Sequence, residues 1–467
     1  MYLYELPTTG AISFSDFCVD HTINNRHTVH IPAVTQARAN LRAALKDSKR
    51  TDHAHKDYLQ LVKIIDEYIP QLRGIMSSAA HDEIGLKSEP SFSWRSTLSA
   101  NMFHNSPRLD FPGLHADLAF TLLTYAFALS NLGRSTALSL GRYERDRAIS
   151  EAERKEKDGQ LNVAVDFLCR ASGIFTYIAD NVLPEWETNI RGGPTGFEKP
   201  PDLSREVITA LAKMSLADAQ SLAIRKLLSI AAYDSNIVPG PPLPLSHPSP
   251  AFIAKLHLEC TSLYSSARSL VKTSGARKRP SSPSESSGDV SSELRRYLAD
   301  EAAFHGAVSR KWLGVQAGEK GGTERGGDAV GFMAWARKEL EELKDGGRGI
   351  SIAKGDREMR ERFKQKVSDE LESVNVFYKY YKKANDTLHF QPVPTQADLQ
   401  ARIPAGIMVK EAKPYVPPVP AFGPGSVAHI QNVANELELG NEGEGGRPPD
   451  TASPPVTSTY AGAGSYF

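Results

Sequence analysis

The chain has 467 residues, with 55 Lys+Arg balanced by 55 Asp+Glu and a formal net charge of zero. That length allows about three domains or one large one, and a 40% hydrophobic content is ordinary for a chain with a sizeable core. The zero balance argues against a dedicated nucleic-acid binder, which carries a basic excess, though it leaves a local basic patch open.

Only three cysteines occur, Cys18, Cys169 and Cys260, with no CxxC pair. This excludes a disulfide scaffold and a Cys-rich zinc site and fits a reducing compartment. The opening MYLYELPTTGAISF has no basic region followed by a long apolar core, so no signal peptide is read. The best apolar run, Leu118 to Leu132, falls short of the ~20 residues that span a bilayer. A soluble, intracellular protein is expected.

Weak strand signals are confined to the first 35 residues, which allow a small β element there; after them helical periodicity dominates. Residues 34–49 and 54–76 carry apolar positions three and four apart. Segment 114–132 sets Leu118, Leu122, Tyr125, Leu129 and Leu132 on one stripe, with Gly133 as the expected C-cap. Segment 159–183 repeats the pattern through Val163, Phe167, Ile174, Tyr177 and Ile178, and is expected to stop at Pro184. Segment 203–231 is the strongest helix, rich in Ala, Leu, Lys and Arg. Helices over 250–273, 291–317, 328–345 and 356–386 follow.

Three insert-like stretches separate them: Pro-rich 233–250, polar 274–292 and Gly-rich 318–328, each expected to be a surface loop. No composition break divides 1–410. From 411 onward Gly and Pro are frequent and no long apolar pattern survives, so most of 411–467 is expected to be a disordered tail. One piece, 426–439, has Val427, Ile430, Val433, Ala434 and Leu437 at helical spacing. It reads equally well as a docking helix and as nascent helix in a tail. The fold class is all-α, with stacked helical hairpins of the solenoid kind allowed.

Catalytic signatures are scarce. There is no GxxxxGK[ST], HExxH, GxSxG or H-x-E…C-x-x-C pattern, and the glycines at 318–327 and 346–349 lack the strand and helix that a phosphate cradle needs. Cys18 precedes His21 by three residues, but no third group is placed to orient the pair. His53 and His55 sit in a polar stretch without a carboxylate at ligand spacing, which reads as a solvated face. No metal, cofactor or enzymatic activity is expected.

Basic residues cluster at 357–366 and 379–383. Interleaved Glu favours a solvated helix with i,i+4 ion pairs, with contact to acidic lipid headgroups as the functional alternative. Phe377, Tyr378, Tyr380 and Tyr381 fit a core-facing helix side better than a base-stacking platform. A long helical body also offers grooves for a partner's amphipathic helix. In PAFIAKLHL (250–258), Phe252 and Leu256 share one strip, and Ile253 and His257 the next. Periodicity does not say which strip faces core and which a partner.

Several segments, in order, resemble the Bro-type domain of Alix-like proteins, boomerang-shaped helical scaffolds that bind ESCRT-III subunits. Phe92-Ser93-Trp94-Arg95 resembles the family's aromatic-x-Trp segment, and 118–132 the helix after it. Residues 165–183 resemble a helix with a central Ser-Gly, here Ser172-Gly173. LADAQSLAIRKL (216–227) resembles the LAQAQE segment, AFIAKL (251–256) the AIIAKL segment, and YKKANDTLHFQPVP (381–394) the close of the domain. The resemblance spans about 1–415, which leaves 416–467 as the tail. Within the family the likeness is greatest to fungal members of ambient alkaline pH signalling, which have neither the coiled V-shaped domain nor the long Pro-rich arm of Alix.

The resemblance implies an elongated boomerang with a TPR-like core. It implies a cytoplasmic, non-enzymatic adaptor, recruited to cortical sites at the plasma membrane or to endosomes. The implied partners are an ESCRT-III subunit and a cortical pH-signalling complex, with peripheral membrane association allowed and no nucleic acid. Such an adaptor is needed for a separate calpain-like protease to activate a zinc-finger transcription factor. An endosomal-sorting scaffold unrelated to pH is the alternative.

The family binds the C-terminal amphipathic helix of an ESCRT-III subunit on an apolar patch. By position, Phe252 and Leu256 fall in that patch. Ala223 falls where an aromatic is frequent, with Ile224 beside it to supply apolar area. Met408 takes a late aliphatic position, and Asp158 an acidic rim. The insert 233–250 is longer than the family's usual turn and is placed to shade the groove. His389 stands where animal relatives have Tyr, so tyrosine-phosphate regulation there is not carried over. Burying a Phe and a Leu contributes about 1.5–3 kcal/mol each, which suits micromolar peptide binding.

Overall fold

In the computed structural model, the described residues are all of 1–467 except 53–54, 100–107, 147, 190–198, 238–239, 277–289, 347–353, 433 and 435–467. The N-terminal segment packs on the bundle through a single turn of helix, α1 (Phe14–Phe17), and a short strand, β1 (Cys18–Asp20). The long helices α2 (His30–Arg50) and α3 (Tyr58–Ala80) follow. Asp57 caps α3 by accepting from the Gln60 amide at 2.8 Å.

Strands β2 (Ile84–Leu86), β3 (Ser91–Arg95) and β4 (Arg108–Pro112) come next. β1 pairs antiparallel with β2, and β3 with β4, where Trp94 lies opposite Leu109 and Phe92 opposite Phe111. The strand content therefore extends beyond the first 35 residues. β3 alternates, with Phe92 and Trp94 turned inward to full burial.

Helix α4 (Leu114–Ser139) is apolar on nearly all sides and buried along most of its length. It does not stop at Gly133. That glycine lets α5 approach: a Cβ there would lie 3.0 Å from the Ala164 carbonyl oxygen. Helix α5 (Glu151–Tyr177), capped by Ser150, passes through a π-helical turn at Ile178–Val182 into α6 (Leu183–Asn189). Pro184 thus does not end the helical path; it stands directly after the π-helical turn, a place where the regular i→i−4 ladder is already interrupted.

Helices α7 (Arg205–Ile237), α8 (Pro250–Ala276), α9 (Ser292–Lys320), α10 (Gly326–Asp345) and α11 (Lys354–Ala384) complete the array. The Gly-rich 318–328 stretch is mostly helix rather than loop. α9 runs to Lys320 and α10 begins at Gly326, because the glycines allow tight contact: a Cβ at Gly318 would strike the Tyr381 ring and one at Gly327 the Pro392 carbonyl. Each long helix packs chiefly on its sequence neighbours: α2 on α3, α3 on α4, α4 on α5, α5 on α7, α7 on α8, α8 on α9, α9 on α10 and α10 on α11. The result is an elongated, single-file stack of antiparallel helices. α7, and α5 with its continuation to Asn189, are apolar and long enough to cross a membrane, but most of those apolar stretches are buried inside the stack.

After a π-helical turn at Asn385–His389 and the short α12 (Gln396–Gln400), residues 401–426 run back across the array as an extended strap. The Ile407 amide donates to the Lys255 carbonyl of α8 at 3.1 Å, and the Lys413 amide to the Cys169 carbonyl of α5 at 3.0 Å. Tyr415 lies 5.1 Å from the Tyr177 ring. The Ala421 amide reaches the Pro70 carbonyl of α3 at 2.9 Å, and Phe422 stacks on His30 of α2 at 4.5 Å. Residues 411–426, the first part of the stretch of which most was expected to be a tail, thus belong to the packed body. The strap's backbone groups find partners on the helices, so it needs no apolar periodicity of its own. Residues 427–432 are helical; Val433 and the part of 426–439 beyond Ala434 lie outside the described residues, as do His53, most of 274–292 and 435–467.

At the N-terminal end, Asp117 of α4 is fully buried. It accepts from Arg38 at 2.9 Å, the Tyr68 hydroxyl at 2.6 Å and the Trp94 indole at 2.7 Å. Arg38 also donates to the Gly10 carbonyl and Thr9, which ties the N-terminal segment to α2 and α4.

Candidate docking surface

The strap defines the surface of interest. Between its anchors on α8 and α5 it crosses α7, where the Val409 amide donates to Gln220 Oε1 at 3.3 Å and Gln220 Nε2 donates to the Lys410 carbonyl at 3.2 Å. Gly406 fits against the Glu259 backbone, so closely that a Cβ there would lie 2.7 Å from the Glu259 nitrogen. Ala223 stands one turn beyond Gln220, and Phe252 one turn before Lys255. Ala223 on α7 and Phe252 on α8 thus each stand one turn from a contact that anchors the Ile407–Lys410 part of the strap, which carries Met408. Ala223 and Phe252 are half-buried, and Met408 is 42% exposed. Its neighbours Ile407 and Val409 are 38% and 40% exposed.

The other residues assigned to the patch by resemblance stand elsewhere. Leu256 is 2% exposed and Ile224 3% exposed, both inside the core. They support the surface from below and offer no area to a partner. Asp158 is not at a rim. It is 6% exposed and accepts from Tyr143 at 2.5 Å, Ser229 at 2.8 Å and Arg154 at 2.8 Å, which joins α5 to α7 and to the Tyr143–Arg145 turn. Neighbouring strips of a helix can look alike in sequence; only the packing decides which strip turns outward. Of the two α8 strips, Ile253 and His257 are buried, and on the other strip Phe252 alone keeps exposed area.

Sequence reasoning missed Ile407, Val409 and the anchor Gln220. The signal for the first two was present: Ile407-Met408-Val409 is an apolar run in an otherwise Gly- and Pro-rich segment. The insert 233–250 sits to one side. The Leu243 amide donates to Glu319 of α9 at 3.4 Å, His247 lies 5.0 Å from the Trp312 ring of α9, and Gly240 faces Val376 of α11. Its anchors are on α9 and α11, whereas the strap meets α8 and α7.

The chemistry that the surface offers is apolar contact and hydrogen bonding. Burial pushes the Cys18 thiol up to about 12 and raises those of Cys169 and Cys260, so none supplies a thiolate at neutral pH. Among the described residues no three His, Cys, Asp or Glu side chains converge as a metal site. His257 and His305 face each other in the core with Nδ1 atoms 2.8 Å apart. Burial pulls His257 down to about 3 and His305 well below its usual value, so both are neutral.

A BRO1-like domain profile matches residues 18–432. The chain is 36% identical to a "pH-response regulator protein palC" of Cryptococcus neoformans, over 100% of this chain and 99% of that protein. It is 24% identical to a palC of Emericella nidulans, over 94% of this chain and 93% of that one. A solved structure described as "Structure basis for endosomal targeting by the Bro1 domain" superposes with a TM-score of 0.53 at 14% identity, covering 94% of this chain and 97% of that one. The helical stack, the strap and these likenesses agree: the chain belongs to the BRO1-like domain family.

Proposed function

We propose that the chain is a non-enzymatic adaptor of fungal ambient alkaline pH signalling, and that its α7–α8–strap surface takes the C-terminal amphipathic helix of an ESCRT-III subunit. The observation that carries the reading is the conjunction of Phe252, Ala223 and the exposed Ile407-Met408-Val409 run on one rigid surface, in a chain alike along its whole length to a pH-response regulator. An amphipathic helix pressed there buries its apolar face without unfolding either partner. Phe252 and Met408 supply the anchoring area, as large apolar side chains do in peptide grooves. Ala223 leaves a shallow subsite into which a bulky partner residue fits.

The adaptor is cytoplasmic and is recruited to cortical assemblies at the plasma membrane. There it brings ESCRT-III together with the calpain-like protease that activates the pathway's zinc-finger transcription factor. The second reading, an endosomal scaffold independent of pH, is favoured by the Bro1 domain whose description names endosomal targeting.

The test is a pull-down with the C-terminal tail peptides of each ESCRT-III subunit, together with growth of the gene-deleted fungus at alkaline pH. One tail captured, capture lost in Phe252→Asp, and failure to grow in alkali are the expected results. Capture of no tail ends the docking assignment. Normal alkaline growth with defective endosomal sorting replaces the first reading with the second.

A further inference from the structure

None of the residues of the docking surface lines a second cleft, a cavity of about 880 Å³ between α4, α8, α9, α10 and α11. Arg134 reaches it from α4, Arg268 from α8, Arg296 and Arg310 from α9, and Arg360 and Arg362 from α11. A smaller cleft of about 210 Å³ shares Arg268 and Arg296, adds Lys272 and Arg295, and has no acidic residue in its lining.

With Lys364 and Lys366, ten basic side chains line the two clefts against five acidic ones. Of those acids, Glu301 is engaged by Lys366 at 2.8 Å and Glu339 by Arg310 at 2.8 Å. The chain as a whole is neutral, so this local excess does not follow from composition.

Like charges gathered in a partly enclosed site repel one another unless an anion enters. Burial lowers the basicity of Arg134 and, despite its Glu339 partner, of Arg310, and the Arg362 charge lowers that of Arg134 further. A guanidinium presents a planar fork that matches two phosphate oxygens at once. Six such forks arrive from four helices, and a single phosphate meets only a few of them. The volume lies within the range of pockets that enclose a small ligand.

We propose that this cleft binds a compact polyphosphorylated molecule, with several phosphate monoesters on one small scaffold, either free or as the headgroup of a lipid. Such a ligand neutralises arginines of α4, α8, α9 and α11 together and so clamps the C-terminal half of the helical stack.

The full chain is titrated calorimetrically with inositol hexakisphosphate, and floated with phosphatidylcholine vesicles with and without phosphatidylinositol bisphosphate. Saturable binding of either probe is expected, weakened about tenfold or more in Arg268→Glu/Arg296→Glu. Arg268→Glu/Lys272→Glu, at two exposed positions, serves if the first variant loses its helical signal. Lys382→Glu/Lys383→Glu changes the net charge equally outside the cleft and is expected to bind as the native chain does. Binding of the hexakisphosphate alone assigns a soluble ligand, and binding of the doped vesicles alone assigns a lipid headgroup. Absence of binding by both probes overturns the proposal. So does equal weakening in the Lys382/Lys383 variant, or a polyglutamate peptide that binds as tightly as the hexakisphosphate.

Discussion

Phe252 and Leu256 lie one turn apart on α8 with opposite fates, and the difference makes a prediction. Phe252 is half-buried against the core, so Phe252→Asp is expected to cost ~1–2 kcal/mol, less than a core truncation, while removing peptide binding. Leu256 is in the core, and Leu256→Ala is expected to cost ~2–5 kcal/mol in chemical denaturation, with binding retained by the folded fraction. Asp117 supports a harsher test. Asp117→Ala strands Arg38 in a buried site, so a loss of ~3–5 kcal/mol is expected, read from the urea midpoint. The His257–His305 pair fixes a pH dependence. Both are neutral when folded and titrate near 6.5 when unfolded, so below that pH the unfolded chain binds more protons. Stability is therefore lost as pH falls below ~6.5, by about 1.4 kcal/mol per pH unit for each histidine. Melting curves between pH 7 and pH 5 should show a shallower slope for His257→Leu than for the native chain; equal slopes would remove the pair from the account.

At the scale of the element, the strap is the part of the fold that links chain end to docking surface. Gly173 of α5 explains how it fits: a Cβ there would lie 1.7 Å from the Lys413 carbonyl oxygen. Gly173→Ala is expected to lift the strap between Ile407 and Tyr415. Hydrogen exchange should then speed up at the Lys413 amide, and peptide binding through Met408 should weaken several-fold, while the exchange of α5 itself stays slow. The long helices were legible in sequence because apolar spacing records a buried stripe. Their ends were less so. Gly133, Gly318 and Gly327 look like stops in a sequence, yet here they serve close packing, whereas Gly321 does end α9. The strap was illegible for a different reason: it is held through its own backbone, which bonds the Cys169 and Lys255 carbonyls and the Gln220 side-chain amide, and such bonds leave no side-chain pattern in the strap. Of the residues assigned to the candidate site, Phe252, Ala223 and Met408 keep exposed area, whereas Leu256, Ile224 and Asp158 are turned inward, because a helix inside a stack has neighbours on two sides and sequence spacing does not number them.

For the whole molecule, the single-file arrangement separates two surfaces by chemistry: an apolar one on α7, α8 and the strap, and an arginine-lined cleft whose walls include α9 and α11. A scaffold of this kind acts by holding partners at fixed separation, and rigidity of the stack is what it contributes. The most direct measurement is hydrogen–deuterium exchange of the full chain with and without the ESCRT-III tail peptide that it captures. New protection is expected in the 220–231 and 250–259 segments and at 405–410 if the peptide docks on this surface. Protection confined to other helices, with these three segments unchanged, would contradict it.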